Sequence, residues 1–262
     1  MLRHAILTEA RDGLRQNQFF LMFEPRLDAA HRDVIGFDAH LRWQHPRSGL
    51  LTPAHFMADL EMSDVSPQIV RFILTETIQR IADWQAQGFG TRLLSVTLAG
   101  TEIMREGFSS QVAHMLKWHE IDPARLEICL TERTDFAVLP RLDVPMRELQ
   151  QQGLRVALDD FGTGFASLGV FRRLPFNTVK LDPSFMAGVP VDFNSRSVVE
   201  TFVDLCAKVG RQPVVKGVES MAQLEWLGTL HNVHSQGYGI SPPVRADDVE
   251  TILAAADTTA ER

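Results

Sequence analysis

Leu158-Asp159-Asp160-Phe161-Gly162-Thr163-Gly164-Phe165-Ala166-Ser167-Leu168, followed shortly by Lys180-Leu181-Asp182, is the stretch on which the reading of this chain turns. Asp159 and Asp160 close the apolar run Val156-Ala157-Leu158, and a glycine-rich turn begins directly after them. An apolar run bounded by turn residues reads as a buried strand, so both acids stand at a rigid strand end. Glycine beside them lets backbone approach an anion, and paired carboxylates are hard oxygen donors. The pattern is that of a binding or catalytic site at the C-terminal end of a strand.

Working outward, further short apolar runs lie at 19–23, 34–37, 93–98, 126–130, 155–158, 178–181, 213–215 and 235–237. Amphipathic stretches near 6–15, 53–62, 67–87, 107–118, 142–151, 166–173, 196–209 and 221–229 separate them. Gly88, Asp122-Pro123, Gly153, Gly188 and Gly210 punctuate the joints. Such alternation predicts a mostly parallel sheet with crossover helices, and eight strand–helix units predict an α/β fold of the (β/α)8 barrel type. The reactive face of a barrel lies at the C-terminal ends of its strands, and Asp38, Thr97, Cys129, Asp159, Lys180 and Lys216 all fall there. The expected organisation is one barrel domain over 1–250, with 251–262 as a polar tail that ends the last helix and frays.

The chain has 262 residues, 45% of them hydrophobic and 23% charged, which is ordinary for a soluble domain with a sizeable core. A formal charge of −7 argues against extended DNA or RNA binding, which needs a basic face, but leaves room for a small phosphate ligand. No apolar run is long enough to span a bilayer, and no basic-then-apolar leader stands at Met1. Cys129 and Cys206 are far apart and belong to no CxxC pair, so a disulfide framework is not expected and a cytoplasmic location fits best.

Taken in order, several segments resemble the EAL domain family. They are Gly36-Phe37-Asp38-Ala39-His40-Leu41-Arg42-Trp43, Pro53 with Phe56, Leu130-Thr131-Glu132, and the 158–168 stretch. After these come Lys180-Leu181-Asp182 with Phe185, Gly217-Val218-Glu219, and Gln236-Gly237-Tyr238 with Pro243. A lone AspAspPheGly would carry little weight; the ordered set, running over about 6–249, carries much. The resemblance implies a modified (β/α)8 TIM-like barrel. In active members it implies hydrolysis of one phosphodiester of cyclic di-GMP to linear pGpG, assisted by Mg2+ or Mn2+. Two hard cations about 4 Å apart clamp the scissile phosphate and lower the pKa of the attacking water. The resemblance also implies ligand contacts at Arg42, Asp159, Asp160, Gly162, Lys180, Asp182, Lys216, Glu219, Gln236 and Pro243, with Glu132 steadying the loop after the aspartates.

Six positions depart from the active pattern. The signature Glu-Ala-Leu reads Asp38-Ala39-His40, whose acid is one methylene shorter. The family's metal-binding Asn aligns with Thr97, and a metal-binding Glu aligns with Cys129, a soft donor ill suited to Mg2+. The Glu expected as general base aligns with Lys216, and a lysine protonated at neutral pH cannot accept a proton. Glu24 stands where the family has Gln, and places a carboxylate near the expected phosphate. With Cys129 and Lys216 each replacing an acid and Glu24 replacing an amide, the site is two charges more positive than its active relatives'. Lys216 is therefore expected to meet a phosphate directly, without metal.

Taken in isolation these residues have blander explanations. An AspAsp pair before glycine is often a turn or cap, Lys216 could be a solvated loop residue, and Cys129 on an apolar strand is more often inert core. His40 reads as packing, and His45 as part of a structural Trp-Gln-His-Pro turn. The function expected is a catalytically inactive EAL domain serving as a cyclic di-GMP receptor in bacterial second-messenger signalling. The alternatives are a protein-interaction module that no longer binds nucleotide and a weak phosphodiesterase. No cofactor is expected; Mg2+ or Mn2+ would matter only with residual activity, held by Asp38, Asp159, Asp160 and Glu219. Expected partners are cyclic di-GMP, an unidentified protein and a second copy of the chain in a homodimer.

Overall fold

The computed structural model describes residues 2–89, 92–131, 138, 141–164 and 168–260. Among them the chain forms nine strands: β1 Phe19–Asp28, β2 Val34–His45, β3 Gly49–Leu51, β4 Leu93–Thr97, β5 Leu126–Thr131, β6 Arg155–Phe161, β7 Thr178–Leu181, β8 Gln212–Val215 and β9 His234–Ser235. The helices are α1 Leu2–Arg15, α2 Met57–Glu61, α3 Ser66–Ala86, α4 Gly100–Ile103, α5 Phe108–Trp118, α6 Asp143–Gln151, α7 Leu168–Arg173, α8 Phe193–Lys208, α9 Met221–Leu227 and α10 Ala246–Ala260.

The sheet runs β1-β9-β8-β7-β6-β5-β4-β2-β3, and β1 also pairs with β2, so every strand but β3 lies in a closed barrel. Strand β1 is antiparallel to both its neighbours, β2 and β9, while the remaining pairs of the ring are parallel. That reversal is the modification of the (β/α)8 plan. It brings the N-terminal half of β1 to the same mouth as the C-terminal ends of the other strands, with Phe19 opposite Trp43.

Alternation along the strands sorts residues between two environments. Phe19, Leu21 and Phe23 of β1 and Phe37, Leu41 and Trp43 of β2 are buried in the apolar layer between sheet and helices, which also takes in Ile73, Ile78 and Trp84 of α3. The opposite face of the same strands carries Arg26 and Asp38 into the barrel. Strand β2 runs far beyond the apolar stretch at 34–37 because its second half alternates apolar and polar residues. A search for continuous apolar runs stops where that alternation begins. The stretch expected as one helix over 53–62 is a 3-10 turn, Pro53–His55, and then α2. The closing helix α10 extends to Ala260, through most of the segment expected as a tail.

Candidate active site at the barrel mouth

Strand β6 ends irregularly. Its register against β7 shifts between Leu158 and Phe161, and Asp160 adopts a left-handed backbone with φ 54°. In a regular strand Asp159 and Asp160 would point to opposite faces. The bulge turns both carboxylates the same way, and an aspartate tolerates that backbone better than most residues. The Asp160 amide donates to Asp159 Oδ1 at 2.8 Å. Gly162, at φ 101°, then carries the chain past Phe185, whose ring would lie 2.4 Å from any added Cβ.

Between the two carboxylates sits the ammonium of Lys216, from the segment after β8, donating to Asp159 Oδ1 and to Asp160 Oδ1 at 2.7 Å each. Lys216 is thus no solvated loop lysine. Burial alone would lower its pKa, but Asp159 and then Asp160 raise it well above the usual lysine value. Burial would likewise raise Asp159, yet Lys216 and then Lys180 hold it below the usual carboxylate range. Two of the three ammonium donors are used by these acids.

Deeper in the barrel lies a second ionic cluster. Arg26 Nη2 donates to Asp38 Oδ1 at 2.8 Å, to Ser95 Oγ at 2.7 Å and to Glu127 Oε2 at 2.9 Å. The Thr178 hydroxyl donates to Glu127 Oε1, and the Lys180 ammonium, 0% exposed, donates to Asp38 Oδ2. Lys180 of β7 can meet Asp38 of β2 only through the barrel interior, since those strands are not neighbours. Burial pushes Asp38 upward, but Lys180 and then Arg26 take it far below the carboxylate range. Burial also pushes Glu127 upward, and Arg26 followed by Lys180 brings it down to about 2. Two cations and two carboxylates therefore neutralise one another where barrels usually hold branched aliphatics. Sequence reading missed Arg26, Ser95, Glu127 and Thr178. The available signal was a charged residue at an inward position of an apolar strand.

The other expected residues divide between the mouth and purely structural work. Thr97 is exposed at the end of β4. Cys129 is fully buried, and burial pushes its thiol well above the usual range, which keeps it protonated. His40 and Glu24 pair across β1 and β2, Nε2 to Oε2 at 2.9 Å, so two departures from the family pattern satisfy one another. Arg42 donates to the Leu41 carbonyl at 2.9 Å, and burial lowers its pKa while the nearby Tyr238 and Glu24 oppose that. Asp182 caps the 3-10 turn Pro183–Met186, accepting from Ser184 N at 2.9 Å. Glu219 is exposed and joins neither acid cluster. Pro243 is half-buried beside Val244, which bridges to Phe23. Gln236 is only 1% exposed, and neither its side-chain oxygen nor its nitrogen has a protein partner among the described residues. Glu132 lies outside the described residues.

The EAL domain family matches residues 7–243. This chain belongs to the EAL domain family. The EAL domain is 30% identical over 249 residues to the bifunctional diguanylate cyclase/cyclic di-GMP phosphodiesterase MucR of Pseudomonas aeruginosa, covering 95% of this chain and 36% of MucR. It is 29% identical over 250 residues to the cyclic di-GMP phosphodiesterase NbdA of the same species, covering 94% of this chain and 32% of NbdA. It therefore spans about a third of the length of these curated relatives. Among solved structures, the PaMucR phosphodiesterase in its c-di-GMP complex superposes with a TM-score of 0.86 at 29% identity, covering 94% of this chain and 99% of that one. An EAL domain protein from Listeria monocytogenes does so with a TM-score of 0.78 at 28% identity, covering 95% and 97%.

EAL domains use Mg2+ or Mn2+, but the residues at this mouth do not fit such ions. A hard divalent cation wants several oxygen ligands converging on one point. Here Asp38 is enclosed by Arg26 and Lys180, Asp159 and Asp160 share an ammonium, and Cys129 is a buried protonated thiol. Among the described residues no group of three or more His, Cys, Asp or Glu side chains is disposed to hold a metal ion.

Proposed function

We propose that this EAL domain is a cyclic di-GMP receptor that binds the nucleotide without metal and does not hydrolyse it. The observation that carries the reading is the placement of Lys216, whose ammonium lies 2.7 Å from both Asp159 and Asp160. A protein cation occupies the position between the two acids that the family relies on for metal chemistry. The general base expected there is replaced by a group already carrying a proton and held in that state by its partners. The third N–H of Lys216 remains to meet a phosphate, and the unpartnered amide of Gln236 supplies a donor and an acceptor to the same mouth. The Glu24–His40 pair lessens the repulsion that an isolated Glu24 would exert on that phosphate.

The test is turnover. Purified protein incubated with cyclic di-GMP and either Mg2+ or Mn2+, with products separated by chromatography, is expected to leave the substrate intact. Metal-dependent accumulation of pGpG would overturn the reading. A second reading, a protein-interaction module, draws on Val191, Phe193 and Tyr238. These are 90%, 70% and 71% exposed, on the segments that follow β7 and β9 at the mouth. It also draws on the commitment of Lys180 and Asp182 to internal partners. Retention of a protein partner with no nucleotide binding would favour it.

A further inference from the structure

At the opposite end of the barrel, where β6 to β9 begin, lies a cavity of about 580 Å3. Its wall includes Arg155 at the start of β6, Asn177 before β7, Arg211 and Gln212 where β8 begins, and His231 and Asn232 before β9. The geometry points to this cavity as a second ligand site, for a small metabolite carrying a phosphate dianion.

The charge of the wall is one-sided. Among the described residues, Arg155 and Arg211 line the cavity and no acidic residue does, in a chain whose net charge is −7. Both guanidiniums have unused donors: Arg155 Nε and Arg211 Nη1 are buried without a hydrogen-bond partner. Arg155 Nε itself forms a long ion pair with Glu127 Oε1 at 3.8 Å, beyond hydrogen-bond range, and Glu127 is already served by Arg26, Ser95 and Thr178. Arg211 is held in place, with its guanidinium 4.3 Å above the Phe171 ring and Nη2 donating to the Leu174 carbonyl at 2.8 Å. A rigid guanidinium with a free buried edge is pre-organised for an oxyanion, and arginine matches the phosphate geometry better than lysine.

The size of the cavity decides between a bare ion and a metabolite. Pockets that enclose small organic ligands run from roughly 300 to 1,000 Å3, and this one falls within that range. Phe176 and Ala207 provide apolar wall for the body of such a molecule; Asn177, whose Oδ1 accepts from Gln150 and Val156, offers its Nδ2, and Gln212, whose Nε2 donates to the Pro213 and Asn232 carbonyls, offers its Oε1. The site lies at the far end of the strands from Lys216, so it stands or falls independently of the nucleotide reading.

The test uses inorganic pyrophosphate as the probe, with succinate as the carboxylate comparison, titrated into the 15N-labelled full chain. The expected result is that pyrophosphate shifts the amide signals of Asn177, Arg211, Gln212, His231 and Asn232, leaves those of 159–164 unmoved, and binds more tightly than succinate. Arg155→Gln and Arg211→Gln should each weaken pyrophosphate at least tenfold. Arg155 takes no part in the Phe171 stack, so its variant remains informative if Arg211→Gln fails to fold. Shifts confined to the mouth, affinity unchanged in Arg155→Gln, equal or tighter succinate binding, or no shifts at millimolar probe would each overturn the inference.

Discussion

Lys216→Met would remove the cation from between Asp159 and Asp160 and leave two carboxylates facing one another. Removing one partner of a largely buried ion pair costs about 3 kcal/mol, because the remaining charge stays desolvated. Urea unfolding should register a loss of that order, and adding Asp160→Asn should recover part of it by deleting one of the stranded charges. An unchanged midpoint for Lys216→Met would mean that the pair is solvated and contributes nothing. The identity of these residues was plain in the sequence; their pairing was not. The sequence places a lysine on one strand end and two acids on another, and only the bulge at Asp160 swings both acids toward it. The compensation between Glu24 and His40 was hidden for a related reason. It depends on the register of antiparallel β1 against β2, which pairs Glu24 with Asp38 and Met22 with His40.

The ionic cluster belongs to the strands acting together, since Arg26, Asp38, Ser95, Glu127, Thr178 and Lys180 come from five of them. Glu127→Gln should destabilise the barrel by about 4 kcal/mol, because Arg26 and Lys180 would then face Asp38 alone. A denaturation experiment showing a loss below about 1 kcal/mol would mean that the cluster relaxes or takes up water. A separate titration belongs to β9. Burial first, then Arg26, lowers the pKa of His234 from 6.5 to about 4. Between those values the unfolded chain binds more protons than the folded one, so this contribution to stability is intact above pH 6.5 and is lost as pH falls toward 4. Thermal melts of His234→Gln should therefore fall less steeply with pH over this window than those of the parent. Equal slopes would contradict the assignment. The strand alternation, and with it the barrel, was legible from apolar runs. The polar interior was not, because inward charges interrupt the runs by which strands are recognised: β1 was read to 23 and continues to Asp28.

For the molecule as a whole, the closed ring of strands holds two ion-paired sites in series, the Asp159–Lys216–Asp160 group at the mouth, which keeps one net negative charge, and the neutral Arg26–Asp38–Glu127–Lys180 cluster beneath it. Three of the four carboxylates expected to hold a metal, Asp38, Asp159 and Asp160, already face a protein cation, and the fourth, Glu219, stands exposed apart from them. On the proposed reading, a barrel similar to those of cyclic di-GMP phosphodiesterases keeps a nucleotide pocket while protein cations stand in for the ions on which hydrolysis depends. The most direct test is isothermal titration of cyclic di-GMP into the purified chain, once with excess EDTA and once with excess Mg2+. The account predicts binding with the same affinity in both buffers. Heat that appears only with Mg2+, or no heat in either buffer, would contradict it.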